Sequence, residues 1–529
     1  MMKKFDTIDE FIKKSRWSIV IYFFFILFSY GIKLFHVIVS IDTESIISVP
    51  EALYKAWFGM GRFGAVLLKK ILGTYWFNPY VASFMMVVML LVGGLIWMYL
   101  FSNLNDSLSK IGWIFPTVFF TSPIMAEQSS FLLQAYEGAF CIALVGVSLI
   151  FFFKAIYYSK GYYYILSTIC IFFSFSTYQS TVILFITGAI SSFLLFYDDI
   201  DRIQVKEDKT FKQVKHGEDS RTVICWRTIG GLILEFVLAY FIYSVVNKIV
   251  LSVLNIQTHP YITDQVRWGK DSLNECLRNI VKQAKNILFG KSVYYNFALV
   301  VLIVVFLIYI SLQFVQKKKA YYIYFLASLA LCICPFIMIL LLGGTASVRT
   351  EWTIPFVTAF LSMYLAGHII CFDRDIIPLS LKRAALLGFF ALSMQQASVT
   401  ARIYYTEYAK FQQDMVLAIK ISDRIDQLNL GDPPENPVVF IGARPTHITP
   451  SMYTEKEIEL SGRSLFSMSF YTQHGTYVMR NFMKSIGYEY AFPSEEQIQK
   501  AEEISKTMNS WPDTNSVKNE EGIIVVRLS

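Results

Sequence analysis

The sequence predicts an all-α polytopic membrane protein of about eleven transmembrane helices, followed by a small α/β domain at the C-terminal end. Three observations carry that prediction. The 529 residues are 55% hydrophobic and 16% aromatic, with a mean hydropathy of +0.47, a balance that soluble domains rarely have. Apolar runs of roughly 20 residues recur, the length that crosses about 30 Å of hydrocarbon. Beyond Arg402 hydrophobicity falls, charge rises and the pattern turns to that of a packed soluble domain.

The expected spans are Trp17–Val39, Tyr80–Phe101, Ile111–Ala126, Phe131–Phe153, Tyr162–Ser176, Thr177–Tyr197, Val223–Leu251, Val293–Val315, Tyr321–Leu342, Trp352–Phe372 and Ala384–Thr400. The first is too long for a cleaved signal peptide, lacks a small-residue cleavage site and is followed by Lys33 and His36. Ile111–Ala126 is short and holds two prolines, and only a polar break divides the pair from Tyr162 to Tyr197.

The net charge is +7, which in a soluble protein would raise the question of nucleic acid. Here the basic residues sit mainly in short loops, where they report topology. Residues 1–16 carry Lys3, Lys4, Lys13, Lys14 and Arg16. The loop after Tyr197 carries Arg202, Lys206, Lys209, Lys212, Lys215 and Arg221; Lys317-Lys318-Lys319 is a triplet, and Arg374, Lys382 and Arg383 mark another loop. With eleven spans all four segments share one face, which the positive-inside rule makes cytoplasmic. The opposite face collects Ser40–Pro79, Glu127–Ser130, Ser174–Thr181, Ser252–Ser292, Gly343–Glu351 and the tail from 401 to 529. The 40–79 loop reads as amphipathic surface helices broken at Gly59 and Gly61; Ser272–Phe289 in the 252–292 loop has a helical pattern with Lys282 and Lys285 opposite its apolar positions.

In the tail, Tyr404–Leu430 reads as one helix ended by Gly431-Asp432-Pro433-Pro434. Pro437–Gly442 is a buried-strand run, Val478–Ile486 and Ser494–Met508 are helical, and Gly522–Leu528 is a closing strand. Gly442-Ala443-Arg444-Pro445 lacks the repeated glycines of a phosphate loop. The seven cysteines lie mostly inside apolar runs, and Cys332-Ile333-Cys334 has no histidine nearby. The six histidines are scattered, so no structural metal is expected, and no Ser/His/Asp triad, nucleotide loop or zinc signature is visible.

Chemistry is expected from polar residues at the ends of spans on the non-cytoplasmic side. Asp42 and Glu44 follow the first span directly. At i and i+2 they share a face only in an extended segment; on a helix they diverge by roughly 200°. One is then a general base for an attacking hydroxyl, the alternative being a wet loop with Asp42 as a helix N-cap. Arg62, among glycines and aromatics, matches a lipid phosphate, or else anchors the interface. Glu127, Gln128, Gln134, Tyr136 and Glu137 lie at or inside the bilayer edge, where polar groups mark function or interhelical hydrogen bonds. Tyr178 and Gln179 form a tight turn or line a sugar pocket, and Arg349 binds an anion beside a helix start or pairs with Glu351 on the surface.

These positions together, Asp42-Thr43-Glu44, Trp57 to Arg62, Gln134 to Glu137, Tyr178-Gln179 and Arg349, resemble the type II glucosyltransferase (Gtr) group and, more broadly, the GT-C class of integral-membrane glycosyltransferases. The resemblance covers roughly residues 17 to 400, which makes that stretch the expected catalytic unit; the tail carries no motif of the group. It implies a multi-pass enzyme of the bacterial plasma (inner) membrane, with a cytoplasmic N-terminus and an extracytoplasmic tail domain. It implies transfer of a hexose, glucose by the group, from a polyprenyl-phosphate donor to a cell-surface polysaccharide such as an O-antigen or its lipid-linked precursor, by inverting displacement. A donor synthase and a flippase are the implied partners, and nucleic acid is not. Carried onto this chain, Asp42 is the base, with Glu44 as alternate or sugar ligand; Arg62 and Arg349 hold the donor phosphate; Glu127, Gln128, Gln134, Tyr136, Glu137, Tyr178 and Gln179 bind sugar or acceptor. No organic cofactor is implied, and metal use varies within the GT-C class, leaving a divalent ion open. The rival readings are a flippase or transporter for lipid-linked oligosaccharide, which predicts internal repeats and mid-membrane charges, a polysaccharide polymerase with an arginine-rich outer loop, and a non-catalytic assembly subunit.

Overall fold

The computed structural model describes residues 5–199, 218–317, 321–371, 378–431, 433–467 and 471–529. Helix α1, Ile8–Phe35, starts from a capping box in which Thr7 and Glu10 exchange backbone and side-chain hydrogen bonds. Three short helices follow, α2 (Thr43–Ser48), α3 (Pro50–Gly59) and α4 (Phe63–Ile71), before the long α5 (Pro79–Leu104). Then come α6 (Ile114–Phe120), α7 (Pro123–Ser130), α8 (Ala135–Tyr158), α9 (Tyr162–Thr177) and α10 (Thr181–Asp199). The second half has α11 (Glu218–Leu254), α12 (Tyr261–Gln265), α13 (Leu273–Leu288), α14 (Ala298–Lys317), α15 (Tyr322–Ile333), α16 (Ile337–Leu342), α17 (Thr353–Cys371) and α18 (Leu379–Asp426).

Among the described residues, nine helices are long and apolar enough to cross a membrane, against eleven expected. They are α1, α5, α8 with its preceding turn, α10, α11, α14, the Tyr322–Leu342 stretch, α17 and α18. The expected span Tyr162–Ser176 is the shorter apolar helix α9. The expected span Ile111–Ala126 is corrected to two short helices, α6 and α7, every residue of which is buried. Pro123 is the cause: it lacks an N–H and disfavours helical geometry at Ser122, whose extended backbone instead caps the new helix α7. The pair Ala384–Thr400 and Tyr404–Leu430 is also corrected. It is one 48-residue helix, α18, about 70 Å long, because nothing between Thr400 and Tyr404 interrupts helical backbone. The basic residues Lys3, Lys4, Arg202, Lys206, Lys209, Lys212, Lys215, Lys318, Lys319 and Arg374, and the loop residue Asp432, lie outside the described residues.

Aromatic packing holds the bundle. Trp97 of α5 meets Phe356 of α17 edge-on at 4.9 Å between ring centroids, and Phe101 meets Phe115 of α6 at 4.8 Å. One end of the bundle is tied by Phe5, Asp6, Asn103 and Tyr158, through N–H bonds of 2.9 Å to the Tyr158 hydroxyl and 2.6 Å to Asn103. The other end gathers the 36–79 segment, α7, the α9–α10 turn and the 343–352 segment, and six of the predicted polar residues meet there.

The tail continues from α18 into strand β1 (Val438–Ile441), helices α19 (Thr472–Ser485) and α20 (Glu495–Ser505), and strands β2 (Val517–Glu520) and β3 (Ile523–Arg527). The sheet order is β1-β3-β2, with β1 parallel and β2 antiparallel to β3. Beyond α18, the two expected strands and two expected helices are present; β2 is an addition. Its polar Lys518-Asn519-Glu520 hides the strand pattern, whereas the Glu521-Gly522 turn with positive φ makes the hairpin. The tail packs on the first inter-helix segment: Val39 joins a core with Ile421, Phe440 and Phe482, and the Ser48 hydroxyl donates to the Asn481 carbonyl at 2.9 Å.

Candidate functional site

A cavity of about 120 Å³ opens among the segments gathered at that end, and Asp42, Arg62, Gln128, Gln134, Tyr178 and Arg349 all line it. Asp42 holds the N-cap position of α2 at φ 63°, a left-handed conformation costly for a residue with a Cβ, yet its side chain caps nothing. The expected N-cap role is therefore absent, and the carboxylate faces the cavity. Burial raises its pKa; Arg349 and then His474 of α19 pull it back down.

Glu44 diverges, as helical geometry requires once α2 begins at Thr43. It is fully buried, accepts a hydrogen bond from Ser45 at 3.0 Å, and its second oxygen has no partner. Burial, with repulsion from Asp42, pushes its pKa up to about 8. The folded chain then holds a proton on Glu44 that the unfolded chain releases above the ordinary glutamate range, so stability falls as pH rises toward 8. Glu44→Gln removes that loss: its unfolding temperature is expected to fall less between about pH 5 and pH 9 than wild type's. Parallel pH curves for the two proteins would contradict this.

Arg62 stands at the start of α4. Its Nε donates to Gln179 at 3.2 Å, its Nη1 to Gln134 at 3.0 Å, and its guanidinium lies 4.9 Å from the Tyr178 ring centroid. The turn before it needs glycine: Gly61 has φ 77°, and a Cβ there would sit 2.5 Å from the Tyr243 hydroxyl. Gly64 is equally constrained, because a Cβ would meet Ser176 Oγ at 2.4 Å where α4 lies against the end of α9. Arg349, in the turn Val348–Thr350, donates to the Tyr261 hydroxyl at 3.0 Å and lies 3.9 Å over the Phe131 ring. Neither guanidinium makes an ion pair with a carboxylate among the described residues; the expected surface pair of Arg349 with Glu351 is replaced by a buried Glu351 that accepts from Tyr294 at 2.5 Å. Burial depresses the pKa of Arg62 most, with Arg349 nearby adding to the same direction.

Two amides complete the wall. Gln128 accepts from Tyr178 at 3.2 Å and Gln134 accepts from Arg62, while the Nε2 of each is buried without a partner. Buried donors without partners call for a ligand or water. Tyr178 itself stacks on Trp352 at 4.9 Å, and Gln179 works from behind, gripping Arg62 and donating to the Met60 carbonyl at 2.6 Å.

The other three predicted residues lie elsewhere. Glu127 accepts from the backbone N–H groups of Glu459, Leu460 and Ser461 at 2.8–3.1 Å and from the Ser461 hydroxyl at 2.9 Å, clamping the tail onto α7. Glu137 pairs with Lys69 at 2.5 Å, and the Tyr136 hydroxyl bonds that of Thr74 at 2.5 Å. Sequence reasoning missed Lys69, which sits in a box of Trp57, Phe77 and Tyr136 rings, and the buried pair Lys33–Glu407 at 2.6 Å that joins α1 to α18. It also missed Tyr261, which has no motif around it, and His474, whose approach to Asp42 depends on how the tail docks.

The fold is a helical bundle with nine helices, among the described residues, long and apolar enough to cross a membrane, and with one carboxylate, two arginines and two unpartnered amide donors around one cavity. Residues 31–366 match the model of the GtrII glucosyl transferase family. The match spans more than half of the chain, and the chain belongs to that family, which makes it a glycosyltransferase of glucosyltransferase type. No curated protein and no solved structure matches it.

Proposed function

We propose that this chain transfers a hexose, glucose by family, from a polyprenyl-phosphate donor to a cell-surface polysaccharide or its lipid-linked precursor. The carrying observation is the single cavity that Asp42, Arg62 and Arg349 line together, with one carboxylate to two guanidiniums. A phosphodiester headgroup supplies the missing anion, and guanidinium geometry matches its oxygens. The acceptor hydroxyl oxygen attacks the anomeric carbon as its proton passes to Asp42. The bond from that carbon to the phosphate oxygen breaks, and the electron pair leaves on a polyprenyl phosphate whose charge Arg62 and Arg349 stabilise. Inversion at the anomeric carbon follows from one displacement. Gln128 and Gln134 donate to sugar hydroxyls through their free Nε2 groups.

A lipid donor is supported by an apolar groove of about 460 Å³ between α10, α11 and α15, lined by Phe185, Phe193, Trp226, Phe236, Leu326 and Ala327. On α11, Phe236, Tyr240 and Tyr243 stand one or two turns apart with rings 6.1–6.2 Å from each other. Tyr243 donates to the Gly61 carbonyl at 3.2 Å, beside Arg62. This aromatic line joins groove to cavity, and an isoprenoid tail lies along it. Ala327→Trp is expected to raise the KM for a long-chain donor about ten-fold while sparing a ten-carbon analogue. Equal effects on both donors would remove the groove from the reading.

The reaction belongs at the outer face of a bacterial plasma membrane, with residues 1–16 cytoplasmic and the tail outside, in line with the basic loops. A donor synthase and a flippase then supply the substrate. The test is reconstitution of the full chain in vesicles with polyprenyl-phosphate [14C]glucose or with a nucleotide sugar, in the presence of polysaccharide. Label is expected to move from the lipid donor; transfer from the nucleotide sugar alone would overturn the proposal.

A further inference from the structure

Between α11 and α13 the chain forms a strap that is fastened at both ends. At its start, the His259 N–H donates to the Gly59 carbonyl at 2.9 Å. A Cβ on Gly59 would stand 3.0 Å from the Gln257 carbonyl, a tight contact, so glycine eases the close approach of the two segments. At its other end, the Arg267 N–H donates to the Leu342 carbonyl at 2.7 Å and the Trp268 indole to the Leu340 carbonyl at 2.9 Å. Gly343, at φ 68°, accepts the face of Trp268, which a Cβ would strike at 2.9 Å.

Between these anchors lies an open groove of about 360 Å³, lined by His259, Tyr261, Asp264, Gln265, Arg267 and Thr345. That volume is in the range of small-ligand sites. Tyr261 lines this groove and also the cavity of Asp42 and the arginines, and its hydroxyl is held by Arg349. The two spaces therefore share one wall.

The lining has the chemistry of a sugar site. The rings of His259 and Tyr261 line it, and a carboxylate, an amide and a hydroxyl offer bonds to sugar hydroxyls. The charges are balanced locally: Asp264 pairs with Lys270 at 3.3 Å, and Arg267 with Asp271 at 3.9 Å. That balance leaves no net charge for an anion and suits a neutral sugar.

We propose that this groove is the acceptor subsite, holding a neutral sugar unit of the glycan with Tyr261 as the wall it shares with the donor cavity. The proposal rests on the glycosyl-transfer reading and adds the place from which the hydroxyl approaches. Gln265 and Thr345 determine acceptor binding, and the donor headgroup does not touch them.

The test uses the full chain in vesicles, polyprenyl-phosphate [14C]glucose as donor, and polysaccharide purified from the source strain as acceptor. Thr345→Trp, which fills the groove, is expected to raise the acceptor KM at least about ten-fold while leaving the donor KM and kcat near wild type. Gln265→Ala is expected to raise the acceptor KM by about three- to ten-fold, one lost hydrogen bond. An unchanged acceptor KM in Thr345→Trp, or a donor KM that rises in step with it, overturns the subsite while the glycosyl-transfer reading stands. Absence of transfer by the wild-type chain overturns that reading and the subsite with it.

Discussion

Asp42→Asn lowers glucose transfer by about 10²–10⁴-fold, the usual contribution of a positioned general base, and leaves the donor KM and the fold near wild type. Asparagine keeps the shape of the side chain but cannot take the acceptor proton. The fold tolerates the change because the Asp42 carboxylate caps no helix and makes no ion pair within the described structure. Wild-type activity should climb with pH as Asp42 deprotonates, on a limb displaced above the ordinary aspartate range, because burial raises this pKa more than Arg349 and His474 lower it. The limb disappears in the variant. Glu44→Gln, by contrast, keeps activity: Glu44 is outside the cavity lining and already carries its proton near neutral pH. Full activity in Asp42→Asn, or a larger loss in Glu44→Gln, would assign the base to the wrong carboxylate.

Lys69→Met destabilises the protein by about 3–5 kcal/mol, the loss measured when one member of a buried ion pair is removed. Lys69 and Glu137 are 0% and 1% exposed and stand 2.5 Å apart. The methionine leaves Glu137 as an unpaired carboxyl in an aromatic box, with the Tyr136 and Trp57 rings unable to replace the ammonium. Because α4 carries Arg62 at its start and Lys69 in its last turn, the same change loosens the donor end of the cavity. Lys69→Met combined with Glu137→Leu should recover most of the stability, since a well-packed apolar pair needs no compensation. Thermal unfolding in detergent reads both effects. A single variant as stable as wild type, or a double variant no better than the single, would show that the pair does not hold α4 to α8.

Six of the eleven predicted site residues line one cavity, and the reason lies in where they stand. Asp42, Gln128, Gln134, Tyr178 and Arg349 sit at the ends of apolar runs and Arg62 in the loop that joins two of them, and hydrophobic length places such ends together without any knowledge of packing. Glu127 and Glu137 had the same signature and a different fate. A carboxylate at a bundle end is drawn equally to a ligand, to a lysine or to free backbone N–H groups, and composition does not say which is near. Lys69 and residues 459–461 come from α4 and from the tail, far along the chain from their partners. Tyr261 and the strap that carries it went unseen for a similar reason: its anchors, the His259 and Arg267 N–H groups and the Trp268 indole, all bond backbone carbonyls of distant segments, which leave no pattern in the sequence.

Alone, the sequence determined that the chain is a polytopic helical protein with an α/β tail, because apolar length, strand alternation and helix-ending residues are local properties. It placed the candidate chemistry at one end of the bundle by the same means. Tertiary structure decided the rest. Pro123 turned an expected span into two buried helices, and Thr400 to Tyr404 ran on as one helix where a boundary was drawn. The onset of α2 at Thr43 separated Asp42 from Glu44 by a helical rotation, sending one carboxylate to the cavity and the other to the core. Which of two neighbouring acids reaches a ligand depends on backbone direction at a single residue and on the charges that distant segments bring beside it. In this chain the groups brought beside Asp42 are Arg349 and, from the tail, His474.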